Sequence, residues 1–146
     1  PRRYYYFSKF SIRYATYHLE RNLTMGVEKY SGWTFYNECD IPQDISTVLA
    51  EQEYPVCAFK TVRDAAVLTN KRLIIRDAQG LTGKKVEMYS LPYSSINMWS
   101  TENAGKLLDF NAELQLWTRA GEFKINIGPN IDVRALDRLI ANCVLN

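Results

Sequence analysis

Side chains that could support catalysis are scarce in this sequence of 146 residues. The single histidine, His18, lies near the N-terminus, so the rest of the chain has no imidazole for general acid–base catalysis, nucleophile activation or metal binding. Five carboxylates fall in expected turns or on the polar faces of expected strands: Asp64, Asp77, Glu87, Asp109 and Glu113. Such positions are typical of solvated surface groups. We therefore expect a protein that is not an enzyme and has no catalytic residues.

The three cysteines follow no metal-binding or disulfide pattern. Cys39, Cys57 and Cys143 are separated by 18 and 86 residues, without a Cys-x-x-Cys pair or a histidine beside them. An odd number of irregularly spaced thiols is typical of a reducing compartment, in which cysteine acts as a small apolar side chain. We expect no disulfide framework, no metal site and no cofactor.

A string of glycines and lysines is the one candidate for anion binding. Gly80 and Gly83 permit positive backbone angles, and Lys84 and Lys85 follow them. In an anion-binding turn, backbone N–H groups and the two ammonium groups would hold a phosphate or a partner's carboxylate. The string leads into a predicted strand rather than a helix, unlike a phosphate-binding loop. A solvated turn is the simpler interpretation, and the anion-binding turn is the alternative.

Aromatic residues, 13% of the chain, are concentrated near its N-terminus. Eleven of the nineteen lie within residues 1–36, and residues 1–30 carry six basic and two acidic side chains. The body that follows is mildly acidic. Tyrosine, tryptophan and arginine are enriched at protein interfaces, so we expect this arm, residues 1–42, to dock onto a neighbouring subunit or another protein. Packing of the arm against its own domain is the alternative.

Ten residues are the predicted protein interface. Trp99 and Trp117 alternate with apparent core residues and are expected to point outward, although packing beneath the connection at 101–111 is equally consistent. The ten residues are Tyr4, Tyr5, Tyr6, Phe7, Arg13, Tyr14, Trp33 and Tyr36 in the arm, with Trp99 and Trp117 in the body.

The body, residues 43–146, is predicted to be mainly β. Short strands separated by turns every eight to twelve residues are typical of an antiparallel sandwich or barrel. The predicted strands cover residues 56–62, 66–69, 72–76, 85–91, 95–100, 112–119 and 122–127, with 33–36 and, where a helical stripe also fits, 10–16 in the arm.

Helix and turn signals complete this pattern. A short helix is predicted after Pro42, and an amphipathic C-terminal helix after Asn130, which is placed to cap it. Turns are predicted at residues 70–71 and 77–80. The adjacent pairs Arg63 with Asp64 and Arg76 with Asp77 are expected to form ion pairs that fix turns.

Several strings, in order, resemble the bacterial pleckstrin-homology (PH) domain family. They are VRD at 62–64, LTNKRLI at 68–74, DAQGLTGKKV at 77–86, LPYSSI at 91–96, ENAG at 102–105 and AEL at 112–114. The resemblance spans about residues 43–144 and leaves the arm outside it. It implies a seven-stranded, bent antiparallel barrel capped by a C-terminal α-helix, and a tendency of such domains to assemble into rings.

The sequence thus predicts a non-enzymatic, homo-oligomeric scaffold or assembly protein, in which a PH-like barrel and a docking arm contact other proteins. A structural component of a larger particle, such as a phage virion, would suit this description. Because no segment is typical of a signal peptide or a membrane span, we expect a cytoplasmic protein, or a virion protein if it is phage-encoded.

Two other binding functions are alternatives. A membrane-surface or lipid-headgroup module is disfavoured because only Lys60 and Arg63 are basic in the first two predicted body strands and the loop that joins them. Single-stranded nucleic-acid binding through Arg2, Arg3 and other cations of the aromatic arm is disfavoured because 18 basic residues face 16 acidic ones, a net charge of +2.

Overall fold

Two β-sheets and one α-helix form the part of the chain that the structure describes. The structure is a computed structural model and describes residues 32–105 and 112–146. The strands are β1 (Trp33–Phe35), β2 (Glu38–Cys39), β3 (Pro55–Lys60), β4 (Asp64–Thr69), β5 (Arg72–Gln79), β6 (Lys85–Pro92), β7 (Ile96–Glu102), β8 (Ala112–Thr118) and β9 (Gly121–Ile127). Short 3-10 helices span Gln43–Thr47 and Tyr93–Ser95, and helix α1 spans Val133–Val144. The five-stranded sheet has the order β2-β3-β4-β5-β6, and the four-stranded sheet has the order β1-β9-β8-β7.

The main core lies between the two sheets. Strand alternation turns Leu114 of β8 and Ile125 of β9 inward, and both are almost completely buried. The helix α1 adds Val133, Leu136 and Ile140 to this same cluster. The predicted mainly β barrel with a C-terminal helical cap is therefore confirmed.

The N-cap of the C-terminal helix lies two residues later in the chain than predicted. The carboxylate of Asp132 accepts hydrogen bonds from the backbone N–H groups of Arg134 and Ala135, so Asp132 is the N-cap. The prediction of Asn130 as the cap was wrong. Its side-chain amide instead donates to Asn37, at 3.1 Å, and so joins the helix entry to the segment between β1 and β2.

The two predicted turns differ in outcome. Asn70 and Lys71 connect β4 to β5 as the predicted two-residue hairpin. The turn predicted at 77–80 was wrong, because β5 continues to Gln79 and Asp77 pairs with Glu87 of β6. The chain turns later, at residues 80–84, where Gly80 and Gly83 adopt the positive φ angles of 77° and 61°.

A single extended segment at the N-terminal end of the described chain connects the two sheets. Strand β1 pairs in parallel with β9, and β2 pairs antiparallel with β3. Between them, the N–H of Tyr36 donates to the carbonyl oxygen of Lys60 at 2.9 Å. The backbone of this segment also lies close to Gly128, whose N–H donates to the carbonyl oxygen of Phe35 at 2.7 Å. Only glycine fits there, since a Cβ would lie 2.3 Å from the carbonyl oxygen of Tyr36. The domain boundary at residue 42 stays a prediction, although β1 and β2 lie before it and pair with the barrel strands.

The outer face of the five-stranded sheet has a second, smaller core. Ala58, Val67 and Ile74 point outward from β3, β4 and β5, and Ile45 of the 3-10 helix packs on them, fully buried. The predicted short helix after Pro42 is thus a 3-10 helix, Gln43–Thr47. We call residues 40–54 the cover segment. It is required because an apolar sheet face left in water would be unfavourable.

Arg76 attaches one end of the cover segment to the sheet. Its guanidinium bonds both carboxylate oxygens of Asp44 and also Asp64 of the neighbouring strand. Arg63 lies 3.5 Å from Asp77. The predicted pairs of sequence neighbours were therefore wrong, because consecutive strand residues such as Arg76 and Asp77 point to opposite faces of the sheet.

Glu53 attaches the other end of the cover segment. Its carboxylate accepts hydrogen bonds from Arg72 at 2.8 and 3.1 Å, from the Thr69 hydroxyl at 2.8 Å and from the N–H of Ala50 at 2.7 Å. Burial disfavours the charged carboxylate, but these hydrogen bonds outweigh it and lower the pKa of Glu53. This buried, ionised group joins the cover segment to the β4–β5 hairpin.

Within residues 32–105 and 112–146, no helix combines the length and apolar character needed to cross a membrane.

We expect Glu53→Gln to lower the free energy of unfolding at pH 7 by about 1–3 kcal/mol, because Arg72 loses its charged acceptor. Urea unfolding measures this loss. The lowered pKa means that the stabilisation is complete above the ordinary value of 4.5 and is lost as the pH falls through the folded-state pKa. The difference between the variant and the wild-type protein should therefore shrink as the pH falls below 4.5.

Glu51→Gln is the matched control, because Glu51 lies in the same segment but is exposed. Its unfolding free energy should stay within about 0.5 kcal/mol of wild type. Equal losses for the two variants, or a Glu53→Gln difference that does not depend on pH, would contradict this role for Glu53.

Candidate functional site

The outer face of the four-stranded sheet is polar at most positions and has one apolar corner. Cross-strand register places Met98, Trp117 and Glu122 in one row across β7, β8 and β9. We call the outward-facing residues of this sheet the open face. They are Thr34, Met98, Ser100, Glu102, Glu113, Gln115, Trp117, Glu122, Lys124 and Asn126. None of them is buried, and five are exposed.

Trp117 and Met98 form the apolar corner of the open face. Trp117 lies on the outer face, opposite the buried Leu116, as the strand alternation predicted. Its neighbour Met98 is 52% exposed. The part that Trp117 plays in an interface stays a prediction, and its position leaves an indole surface available for contact.

Trp99 faces the opposite way, so its predicted outward orientation was wrong. It packs against the main core, and its indole Nε1 donates to Asp137 of α1 at 2.9 Å. The cause is a β-bulge between Ile96 and Met98, which shifts the alternation so that Ile96 and Trp99 both point inward. Hydrogen bonds from Thr101 and Trp99 lower the pKa of Asp137. This tryptophan holds the helical cap, and its indole N–H is already bonded within the domain.

Of the two predicted arm residues that the structure describes, one is packed against the domain and the other is exposed. Trp33 stacks on Phe123, with ring centroids 5.2 Å apart and planes at 6°, so it packs against its own domain. Tyr36 is 45% exposed beside the junction of the two sheets. The other predicted arm residues lie outside the described residues: Tyr4, Tyr5, Tyr6, Phe7, Arg13 and Tyr14.

The predicted anion-binding turn is an exposed loop. Lys84 and Lys85 are exposed, and Gly83 donates its N–H to the carbonyl oxygen of Gly80 over 3.4 Å. Leu81 at its tip is 109% exposed, meaning that no other described residue covers it. Anion binding stays a prediction here. Leu81 was not among the predicted site residues, although an aliphatic side chain between two turn glycines was a visible signal.

A shallow, open groove of about 740 Å³ lies beside β2 and β3, lined by Glu38, Cys39, Asp40, Pro42, Lys60, Asp64 and Ala65. Its lining offers carboxylates and one thiol. Burial raises the pKa of Cys39, and the nearby charge of Lys60 opposes this only in part. Burial also raises the pKa of Cys57, in the main core, to about 11. Both thiols are therefore protonated at neutral pH, which makes them poor nucleophiles.

Comparison with known proteins agrees with this fold. Residues 26–144 match the family described as "Bacterial PH domain". The chain belongs to the bacterial PH domain family. The match includes β1 and β2 and so extends further towards the N-terminus than the resemblance at residues 43–144 indicated.

Two Bacillus subtilis (strain 168) proteins are similar to this bacterial PH domain. YjqA is 45% identical over 82 residues, an alignment that covers 56% of this chain and 65% of YjqA, just under two thirds of its length. YozO is 28% identical over 96 residues, covering 66% of this chain and 82% of YozO.

Solved structures support the same assignment. A DUF1696 family protein with a pleckstrin-homology domain from Shewanella loihica PV-4 is 34% identical, with a TM-score of 0.65 over 75% of this chain and 98% of the other. A pleckstrin homology domain from Shewanella amazonensis SB2B is 38% identical, with a TM-score of 0.56 over 70% of this chain and 84% of the other.

We expect Trp99→Phe to lower the free energy of unfolding by about 1–3 kcal/mol, because Asp137 loses a hydrogen-bond donor at the partly buried junction of β7 and α1. Trp117→Phe is the control, since its outward-facing indole forms no corresponding bond with any residue that the structure describes. Denaturant unfolding monitored by circular dichroism compares the two. A Trp117→Phe loss as large as that of Trp99→Phe would count against the assignment.

Proposed function

We propose that this bacterial PH domain is a non-enzymatic assembly module that binds further copies of itself through its open face. The observation that carries the proposal is the pairing of Trp117 with the half-exposed Met98 on a sheet face where no residue is buried. Tryptophan and methionine are both enriched in the centres of protein interfaces.

The contrast between the two sheets supports this choice of surface. The outer face of the five-stranded sheet is occupied, because the cover segment seals it with Ile45 and is held by Arg72 and Arg76. The open face has no corresponding cover among the described residues. An apolar corner ringed by polar residues is the arrangement that interaction sites on soluble proteins commonly show.

The chemistry of the described ionisable groups supports a binding function over catalysis. Glu53, Asp44 and Asp64 are each held in ion pairs that stabilise the fold. The thiols of Cys39 and Cys57 are kept protonated by burial. These groups are therefore engaged in structural roles, and none is presented as an activated nucleophile or base.

The proposal includes the arm as a second contact. Its aromatic residues, from Tyr4 to Tyr14, would dock on a neighbouring subunit or on another protein of the assembly. Assembly into a ring follows the tendency implied by the family. This function would suit a scaffold protein of the cytoplasm. It would equally suit a structural component of a larger particle, such as a phage virion.

Light scattering coupled to size-exclusion chromatography tests the open-face contact. We expect the wild-type chain to have the mass of several subunits. Trp117→Ala should weaken association at least about 30-fold, which corresponds to the about 2 kcal/mol typical of a hot-spot residue, and should shift the mass towards one chain.

Tyr54→Ala is the matched control, because Tyr54 is 60% exposed but belongs to the cover segment rather than the open face. It should leave the oligomer mass unchanged. A wild-type protein that is monomeric at every concentration would refute the proposed function, and an oligomer that is insensitive to Trp117→Ala would refute the open face as its contact.

A further inference from the structure

Two loops at one end of the five-stranded sheet carry exposed aliphatic side chains at their tips. Val62, in the β3–β4 connection, is 77% exposed, and Leu81, in the β5–β6 connection, is 109% exposed. Both loops lie at the same end, because Asp64 at the start of β4 pairs with Asp77 near the end of β5. Two exposed aliphatic side chains at the same end of one sheet can supply the apolar part of a single contact surface.

The two tips are close enough to act together. The strands follow the order β3-β4-β5-β6, so the two connections are separated by two strand spacings. At about 4.8 Å for each spacing, the two connections are about 10 Å apart across the sheet, which fits within one protein interface. We call the surface formed by Val62, Leu81, Lys84 and Lys85 at these two loop tips the tip pair.

The charge of the tip pair is positive. Lys84 and Lys85 are exposed, and neither forms an ion pair within residues 32–105 and 112–146. Two carboxylates at this end are paired with arginines: Asp64 accepts a hydrogen bond from Arg76, and Asp77 lies 3.5 Å from Arg63. Glu87 accepts a hydrogen bond from the neutral amide of Gln79, which offsets none of its charge. The two lysines outnumber this one carboxylate, so the charge offered to a partner is positive.

The open face has the opposite charge. It carries three carboxylates, Glu102, Glu113 and Glu122, and one ammonium, that of Lys124. Lys124 is bonded to Glu113 at 2.9 Å, which raises the pKa of the lysine. Three negative charges and one positive leave a net of −2 on this face, beside the apolar corner. Arg119 belongs to the turn beyond β8 rather than to the face.

We infer that the tip pair of one subunit docks on the open face of the next subunit. This inference rests on the proposed self-assembly and specifies its geometry. Val62 and Leu81 would contact Trp117 and Met98, while Lys84 and Lys85 would meet the glutamates. The two surfaces differ and lie on different sheets of the same chain, so the contact is head-to-tail. Repetition of a head-to-tail contact closes into a ring when the rotation between subunits permits it.

Native mass spectrometry of two complementary variants of the full chain tests this arrangement. Leu81→Asp places a charge in the tip pair, and Trp117→Asp places one in the open face. Each variant alone should lose the wild-type oligomer and have the mass of one chain. A mixture of equal amounts should form a heterodimer, because the intact tips of Trp117→Asp can dock on the intact face of Leu81→Asp.

The controls make each outcome decisive. Tyr54→Asp should keep the wild-type mass, and Met98→Asp replaces Trp117→Asp if circular dichroism shows that the latter is unfolded. A wild-type oligomer that is unaffected by Leu81→Asp would overturn this inference but leave the proposed function in place. Two monomeric variants that form no heterodimer would also overturn it. A monomeric wild-type chain would overturn both.

The alternative is that the tip pair binds a membrane surface rather than a second subunit. The same variants test this alternative. Phosphatidylserine vesicles should not sediment the wild-type chain in preference to phosphatidylcholine vesicles. Preferential sedimentation that Leu81→Asp abolishes, with an unchanged oligomer mass, would assign the tip pair to lipid and overturn the head-to-tail contact.

Discussion

The packing of Ile45 on the outer face of the five-stranded sheet is the constraint on which the surface of this protein depends. Alternate residues of β3, β4 and β5 are apolar on both faces, so this sheet is stable in water only when both are covered. One cover is the opposite sheet with its helix, and the other is the segment 40–54. Arg76 with Asp44, and Arg72 with Glu53, hold that segment at its two ends. These four charged side chains therefore stabilise the fold and are not free to bind a ligand.

This arrangement decides which surfaces are left for function. The outer face of the four-stranded sheet is polar enough to remain in water and keeps one apolar corner at Trp117 and Met98. This face is net negative, and the loops of the other sheet carry the positive charges of Lys84 and Lys85. A chain that carries two complementary, non-overlapping surfaces is suited to repeated contact with copies of itself. Membership of the bacterial PH domain family fixes the fold, and these surfaces are the basis for the function that we propose.

Much of the fold was predictable from local pattern. The alternation in β8 and β9, the Asn70–Lys71 hairpin and the apolar stripe of the C-terminal helix each depend on residues close together in the chain. The joining of both sheets by residues 33–39 was not predictable, because the partners of β2 lie about 20 residues away in the chain and those of β1 about 90. The site was predicted in part. Trp117 points outward as its alternation indicated, but the bulge at Ile96–Met98 has no clear sequence signal and turned Trp99 inward.

Zero-length carbodiimide cross-linking of a mixture of isotopically labelled and unlabelled chains tests the central claim most directly. Links that join a labelled to an unlabelled peptide can arise only between subunits. The account predicts such links from Lys84 or Lys85 of one subunit to Glu113 or Glu122 of another. Links between subunits that avoid the open face entirely, or the absence of mixed links from a purified oligomer, would contradict it.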